Sequence, residues 1–570
     1  MSEHRDVGTR ERLLETIRRS VIGDDAVIEG PWGPRRMVYA DYAASGRSLS
    51  FVEDFIRERV MPHYANTHSE ASGTGEQTTL FREDARHLIH RSVNGSDDDV
   101  VLFAGSGATG AVHRLIECMN LRIPADLDAR FGLEKHIPER ERPIIFIGPY
   151  EHHSNEIPWR ESIADVVEID EDERGMVDLA QLERELVRYA DRPLKIGSFS
   201  AASNVTGILT DTRAVAKKLH EHGALAFFDY AAAGPYVPID MNPAAPGEHK
   251  DAVFLSPHKF IGGPGSPGVL VAKRALFVNR VPSVPGGGTV AYVNTEAHRY
   301  LEDVVHREEG GTPPILESVR AGLAFQLKDA IGGDLILERE QAFRRRAIEV
   351  WSKNPSIRIL GNPEAPAISI LSFEIVHPSG RRLHHSFAVR LLNDLFGVQA
   401  RGGCSCAGPY GHRLLRIDLD TSHEYEGQIA CGLNGMKPGW VRVNFNYFID
   451  DETFDLVVRA VDLVATHGWR LLPEYRFDVK SGLWRHRDAK DSMLRLTDLS
   501  YEGGALAVPP ARPKSAPRAA DCLAEGERLL RAGARQAIAG GSDLALSAES
   551  ESLRWFVLAE EAMALMQAER

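Results

Sequence analysis

Cysteine is scarce in this chain, with five in 570 residues, at positions 118, 404, 406, 431 and 522. So small and odd a number excludes a disulfide-stapled scaffold, and a reducing cytoplasm is the expected setting. Long apolar runs are missing too: no stretch of 18 or more such residues occurs, so no membrane span is expected. The segment Met1 to Ser20 mixes acids and arginines and has no apolar core. It reads as a solvated helix over Arg10–Arg19 and not as a signal peptide. Blocks of like charge are also absent. The net charge of −14 is spread along the chain, which argues against nucleic acid or an anionic membrane as the main partner. No internal repeat is found.

What is present is the composition of a globular protein, 43% hydrophobic and 26% charged, long enough for two to four domains. From about Met37 to Phe325, short apolar runs alternate with amphipathic stretches. Strands are expected at Asp99–Phe103, Pro143–Ile147, Lys195–Phe199, Ala224–Phe228, Ala252–Leu255 and Gly268–Ala272. They are continuous and β-rich, as strands buried on both faces must be. Helices are expected over Thr109–Cys118, Leu179–Tyr189 and Thr212–His222, and a long one over Pro314–Asp329. This alternation implies an α/β fold with a mostly parallel, doubly wound sheet. A smaller α/β region follows, with strands at Ala367–Phe373 and Trp440–Phe445. Residues 476 to 506 resist assignment. A linker over Val508–Arg518 leads to two helical stretches, the second containing Leu553–Leu558.

In an open α/β sheet, ligands bind at the carboxyl ends of the strands, and chemically loaded residues stand there. In Leu255-Ser-Pro-His-Lys-Phe-Ile-Gly-Gly-Pro-Gly-Ser-Pro-Gly268, Lys259 closes a strand ahead of a glycine-rich turn. It can reach into a cofactor cleft, with Ser256 and His258 beside it as phosphate donors; alone, it is equally readable as a surface lysine. Asp229 ends the strand Phe227-Phe-Asp229, where a buried carboxylate needs a cationic partner. The protonated ring nitrogen of pyridoxal phosphate is such a partner, and capping of the next helix is the plainer role. Phe103-Ala-Gly-Ser-Gly-Ala-Thr-Gly110 reads as strand, turn and helix start. It would offer the main-chain N–H groups of Ala108 and Thr109 to a phosphate.

Taken together, these segments resemble the class V aminotransferase family of fold-type I pyridoxal phosphate enzymes, and within it the cysteine desulfurases and selenocysteine lyases. The resemblance runs from about Tyr39 to Phe448. Tyr39-Ala-Asp-Tyr-Ala-Ala-Ser45 is similar to the family's opening strand, which places Ala43 near the substrate. Asn66-Thr-His68 is similar to its substrate-side segment. Glu151-His-His-Ser-Asn155, followed by Pro158-Trp159, resembles a run in which the first histidine, here His152, stacks on the cofactor and moves protons. Ser203-Asn204-Val-Thr-Gly207 resembles a segment whose asparagine contacts the ring hydroxyl. Gly286-Gly-Gly-Thr289 and Arg307-Glu-Glu-Gly-Gly-Thr312-Pro313 resemble two further loops. The threonine of the second, here Thr312, reaches the phosphate of the neighbouring subunit, which implies a homodimer.

The choice of reaction rests on Arg401-Gly-Gly-Cys-Ser-Cys406-Ala407. The resemblance to desulfurases gives Arg401 a grip on the substrate carboxylate and makes Cys406 the nucleophile, in a cationic setting that favours a reactive thiolate. Inert, buried packing is the plainer reading of both cysteines. Arg442 matches a second carboxylate-binding arginine. The implied mechanism holds pyridoxal phosphate on Lys259 as a Schiff base, and Lys259 then removes the α-proton of L-cysteine. Cys406 takes the sulfur as a persulfide, leaving alanine, and passes it to an acceptor thiol. Where the family has Asp-x-Ala-Gln, this chain has Asp229-Tyr230-Ala231-Ala232, so a glutamine contact to the ring hydroxyl is missing.

The alternatives are a selenocysteine lyase, another C–S lyase or an aminotransferase, and more remotely a non-catalytic scaffold. No metal site is expected, since Cys404-x-Cys406 lacks zinc-site spacing. His153, His384 and His385 read as ordinary surface histidines. The expected organisation is a helical segment over 1–35 packing with the small domain, a large cofactor domain over 36–330, a small domain over 331–475 carrying the cysteine loop, and an extension over 476–570 that docks a protein sulfur acceptor or covers the dimer.

Overall fold

The computed structural model describes residues 7–67, 71–489, 493–509, 515–534 and 546–569. Its main sheet has seven strands among those residues: β1 (Asp99–Ala104), β2 (Ile144–Ile147), β3 (Asp165–Glu168), β4 (Lys195–Ser200), β5 (Leu225–Asp229), β6 (Ala252–Leu255) and β7 (Gly268–Lys273). Their order across the sheet is β1-β7-β6-β5-β4-β2-β3. β7 runs antiparallel to both of its neighbours, while β6 to β3 are parallel. Six of these strands lie within a residue or two of the sequence expectation. β3 escapes it because its four residues are only half-buried and carry an acid at each end.

The apolar runs form strands because both faces are covered. Ile144, Ile145, Phe146 and Ile147 are all buried, and each such side chain contributes roughly 1.5–3 kcal/mol. Helix α1 (Val7–Ser20) lies outside this sheet. It buries Leu14 and Ile17 in the large core, against the long helix Ile315–Ile331, while Trp32 of the same 1–35 segment packs against the second core. Arg10 fastens it to the Ile331 carbonyl.

A second sheet, with four antiparallel strands, is formed by β8 (Ile357–Ile359), β9 (Ile370–Ile375), β10 (Arg401–Gly403) and β11 (Trp440–Asn444), ordered β8-β9-β11-β10. The segment after it is partly strand: Tyr475–Asp478 pairs with Leu483–His486. The chain around Leu553–Leu558 is not one helix. A helix ends at Leu553, Phe556 bridges to Arg382, and a new helix starts at Ala559. His384 and His385 differ from the surface reading. His384 is 1% exposed, and both rings stack on Trp555 of the extension.

Candidate active site

The carboxyl ends of β1, β4, β5 and β6 converge with β10 and β11 on one cleft of about 220 Å³. Its walls include Ala43, Ala108, Thr109, His152, Asn204, Asp229, Ser256, His258, Lys259, Arg401 and Arg442. Residues far apart in sequence meet here because parallel strands deliver every carboxyl end to one edge. Lys259 closes a short 3₁₀ turn after β6. Burial lowers its ammonium from the usual 10.5 to about 8, against the pull of Asp229. Asp229 is buried, and the one hydrogen bond to its carboxylate among the described residues comes from the Ala231 N–H at 2.7 Å. Burial raises its carboxyl, and that N–H and Lys259 only partly oppose the shift.

The helix Gly107–Cys118 opens toward the cleft, and its N-cap residue Ser106 makes no side-chain cap. Gly107 has φ +56°, and a Cβ there would stand 2.8 Å from Ser256 Oγ. The sequence needs glycine at that turn. Ser256 Oγ accepts from the Ala108 N–H at 2.8 Å, and Thr109 Oγ1 pairs with Ser154 Oγ at 2.7 Å.

The Glu151–Trp159 run is a bracket for His152. Glu151 accepts from the Ser200 N–H and hydroxyl and from Asn155 Nδ2, while Asn155 Oδ1 accepts from Ser198 Oγ and Trp159 Nε1. On this frame His152 Nδ1 accepts from the Ser154 N–H at 3.1 Å. The neutral ring therefore carries its proton on Nε2. Burial, with Lys259 and other cations nearby, lowers its pKa to about 3.

His153 differs from the surface expectation. The two histidines sit at a 3₁₀ turn and not on a strand, and their rings diverge by 49°. The His153 main-chain N–H donates to the Cys406 carbonyl at 2.9 Å, and its Nε2 accepts from the Gly408 N–H at 3.0 Å. His153 thus clamps the cysteine loop on both sides of Ala407, a role that adjacency in sequence does not disclose.

Asn204 grips the same loop, with Nδ2 donating to the Ser405 carbonyl at 2.7 Å. Asn204 Oδ1 is buried and has no hydrogen-bond partner among the described residues. Ser405 and Cys406 both adopt positive φ, 53° and 57°, a strained turn for non-glycine residues. Ser405 lines the cleft; half-buried Cys406, the next residue, does not. Cys404 packs against the large core.

Arg401 and Arg442 are direct cross-strand partners in the β10–β11 register. Two like charges in that position are unfavourable, and only one is compensated: Arg442 bonds Asp41 Oδ1 at 2.6 Å and the Asn204 carbonyl at 2.9 Å. Arg401 makes no hydrogen bond among the described residues and lines the cleft. Ala232 lines it as well, where the missing glutamine would reach. Thr312 does not. It accepts from Asn66 Nδ2 at 3.1 Å, beside a second cleft that includes Thr67, Arg82, Glu309 and Pro313. His68 lies outside the described residues.

The family model for class V aminotransferases matches residues 38–422. The chain belongs to the class V aminotransferase family. A probable cysteine desulfurase of Streptomyces coelicolor is 26% identical over 381 residues, covering 66% of this chain and 84% of that relative. One of Halalkalibacterium halodurans is 27% identical over 377 residues, covering 65% and 84%. The solved structure of a Thermococcus onnurineus cysteine desulfurase superposes with a TM-score of 0.62 at 20% identity, over 82% of this chain and all of that one. An Escherichia coli cysteine desulfurase gives 0.60 at 21%, over 79% and 97%. The fold is that of these family members.

The residues of the cleft fit pyridoxal phosphate. Asp229 is a buried carboxylate with no cationic hydrogen-bond partner, which a ring N–H would satisfy. Asn204 Oδ1 is an orphaned acceptor suited to the ring hydroxyl, and Lys259 is an amine brought toward neutrality. The helix N-terminus, with Ser256, Thr109 and His258 beside it, suits a phosphate.

Proposed function

We propose that this family member is a pyridoxal phosphate-dependent cysteine desulfurase that converts L-cysteine to L-alanine and takes the sulfur on Cys406 as a persulfide. The observation that carries the reading is the cysteine loop: Asn204 and His153 tie it to the rim of the cleft that holds Lys259, Asp229 and the uncompensated Arg401. The relatives' names point the same way.

In this reading Lys259 anchors the cofactor, Asp229 holds its ring nitrogen, and Ala108, Thr109, Ser256 and His258 hold its phosphate. Bound there, pyridoxal phosphate supplies an electron sink for charge developing at the substrate α-carbon. Arg401 receives the substrate carboxylate through its free fork. Arg442, committed to Asp41 and Asn204, fixes the floor beneath it. Lys259 Nζ takes the α-proton, and the His152 Nε2–H is the nearby donor for proton return. Cys406 Sγ then attacks the substrate sulfur. The carbon–sulfur bond breaks as the sulfur–sulfur bond forms, and the released carbon keeps the electron pair and takes a proton, giving alanine. A thiol acceptor subsequently removes the persulfide sulfur.

The position of Thr312 on the exposed side of the second cleft supports a homodimer in which each chain lends that loop to the other's phosphate site. The cysteine chemistry and the thiol acceptor favour a reducing, cytoplasmic setting. A second reading, a C–S lyase or aminotransferase with Cys406 as a bystander, draws on Ser405 and not Cys406 lining the cleft. Absorbance of the purified protein, followed by product analysis with L-cysteine, separates them. Desulfuration predicts a visible cofactor band and alanine with sulfide; pyruvate, or an unaltered rate in Cys406→Ala, contradicts it.

A further inference from the structure

At the opposite end of β5 and β6 from the cleft, three side chains meet that the chemistry above does not use. His220 ends the helix Thr212–Glu221, and His249 and Asp251 sit just ahead of β6. One ligand atom from each lies within 4.8 Å of the others. His220 Nε2 is 2.9 Å from Asp251 Oδ2, and His249 Nε2 is 3.8 Å from Asp251 Oδ1. The two imidazoles are stacked at 4.0 Å, 12° from parallel.

The hydrogen bonds around the cluster fix its chemistry. His220 Nδ1 lies 2.7 Å from the Gly247 carbonyl, which only accepts, so Nδ1 carries a proton. Neutral His220 therefore turns a bare Nε2 toward a carboxylate oxygen, and Asp251 Oδ2 already accepts from the Ala226 N–H at 2.8 Å. Two acceptors face each other at 2.9 Å, and something positive must lie between them. A second proton on His220 would serve that one contact. It gives no reason for His249 to stand over the same ring with Nε2 near the other carboxylate oxygen, where it makes no hydrogen bond among the described residues. A metal ion accounts for all three atoms.

We propose that His220, His249 and Asp251 bind a divalent first-row transition cation, zinc foremost, with solvent as the remaining ligand. Imidazole and carboxylate ligands suit zinc at about 2.0–2.2 Å, which requires half-exposed His249 to turn out of its stack on His220 so that both ring planes meet at the ion. The outer contacts are those such sites use: the ligating imidazole donates its other N–H to a carbonyl, and the ligating carboxylate accepts from a main-chain N–H. Asp251 is buried while His249 is 42% exposed on its side chain, which gives the ion a route in. The ion would clip the helix end to the strand that carries Lys259, four residues of strand away from the cofactor, and so act on stability and not on the chemistry.

The test uses the full-length protein, dialysed against chelator and then against buffered zinc, beside His249→Ala and Asp251→Asn. The wild type should retain one more equivalent of zinc per chain than His249→Ala, whose affinity at this site should fall at least tenfold, and zinc should raise the Tm of the wild type only. Thiol-bound zinc at Cys404 or Cys406 is common to all the proteins and cancels in the difference. His249→Ala tests the site even if Asp251→Asn fails to fold, since His249 is the exposed member. Equal zinc content and equal Tm response in wild type and His249→Ala would overturn the proposal.

Discussion

The side-chain amide of Asn204 donates to the main-chain carbonyl of Ser405 across 2.7 Å, 201 residues away in sequence. One asparagine thereby links the cofactor cleft to the turn that presents Cys406. Its other amide atom, Oδ1, meets no donor among the described residues, so in the proposed reaction the same side chain would both contact the cofactor ring and hold the Cys406 loop.

Asn204→Ala is therefore expected to uncouple the two. A buried carbonyl losing its donor costs about 1–3 kcal/mol, and the loop carrying Cys406 is released. Turnover of L-cysteine should fall roughly tenfold or more while the visible absorbance of bound cofactor persists. Loss of the absorbance with unaltered specific activity per bound cofactor would assign Asn204 to the cofactor alone.

His153→Ala removes the acceptor for the Gly408 N–H on the far side of the same turn. The expected result is a kcat reduced by about tenfold with KM for cysteine changed far less, because Arg401 is untouched. His153→Gln, which can still accept from Gly408, should recover part of the rate. Steady-state kinetics of the three proteins check this.

The two arginines should separate cleanly. Arg401→Ala removes a charged contact worth about 1.5–3 kcal/mol, so KM for cysteine should rise about ten- to hundredfold with little change in Tm. Arg442→Ala leaves half-buried Asp41 and the buried Asn204 carbonyl unpaired, at a cost of about 1–3 kcal/mol. It should show first as thermal destabilisation. Melting curves read together with KM decide between these roles.

Lys259 gives the pH dependence. Only the neutral amine attacks the cofactor aldehyde, and burial brings the ammonium from 10.5 down to about 8. The rate at which cofactor-free protein takes up pyridoxal phosphate should rise with pH, then level off just above pH 8. A rate still climbing toward pH 10 would show an ordinary solvated lysine.

The parts of this site that were legible in the sequence share one property: each stands in a local pattern that names its place. Lys259, Asp229 and the Gly105–Thr109 turn sit at the carboxyl ends of continuous apolar runs, so strand period and turn chemistry locate them. The role of His153 is not legible because its partners, Cys406 and Gly408, come from more than 250 residues away. The burial of His384 is not legible because the aromatic lid over it, Trp555, stands far along the chain in the extension. His220 and Asp251 meet only because a helix end and a strand start are stacked side by side in the fold. No spacing along the chain reports that. The Leu553–Leu558 run looked helical by apolar content alone, yet its main chain pairs with Arg382 instead.

The most direct test of the central claim follows alanine formed from L-cysteine by cofactor-loaded wild type and Cys406→Ala, with trapping of the protein-bound persulfide. The expected result is one alanine per cysteine consumed and a persulfide on Cys406 in the wild type, with alanine formation abolished in the variant. Equal alanine formation in both, or persulfide on Cys404 in place of Cys406, would contradict the account.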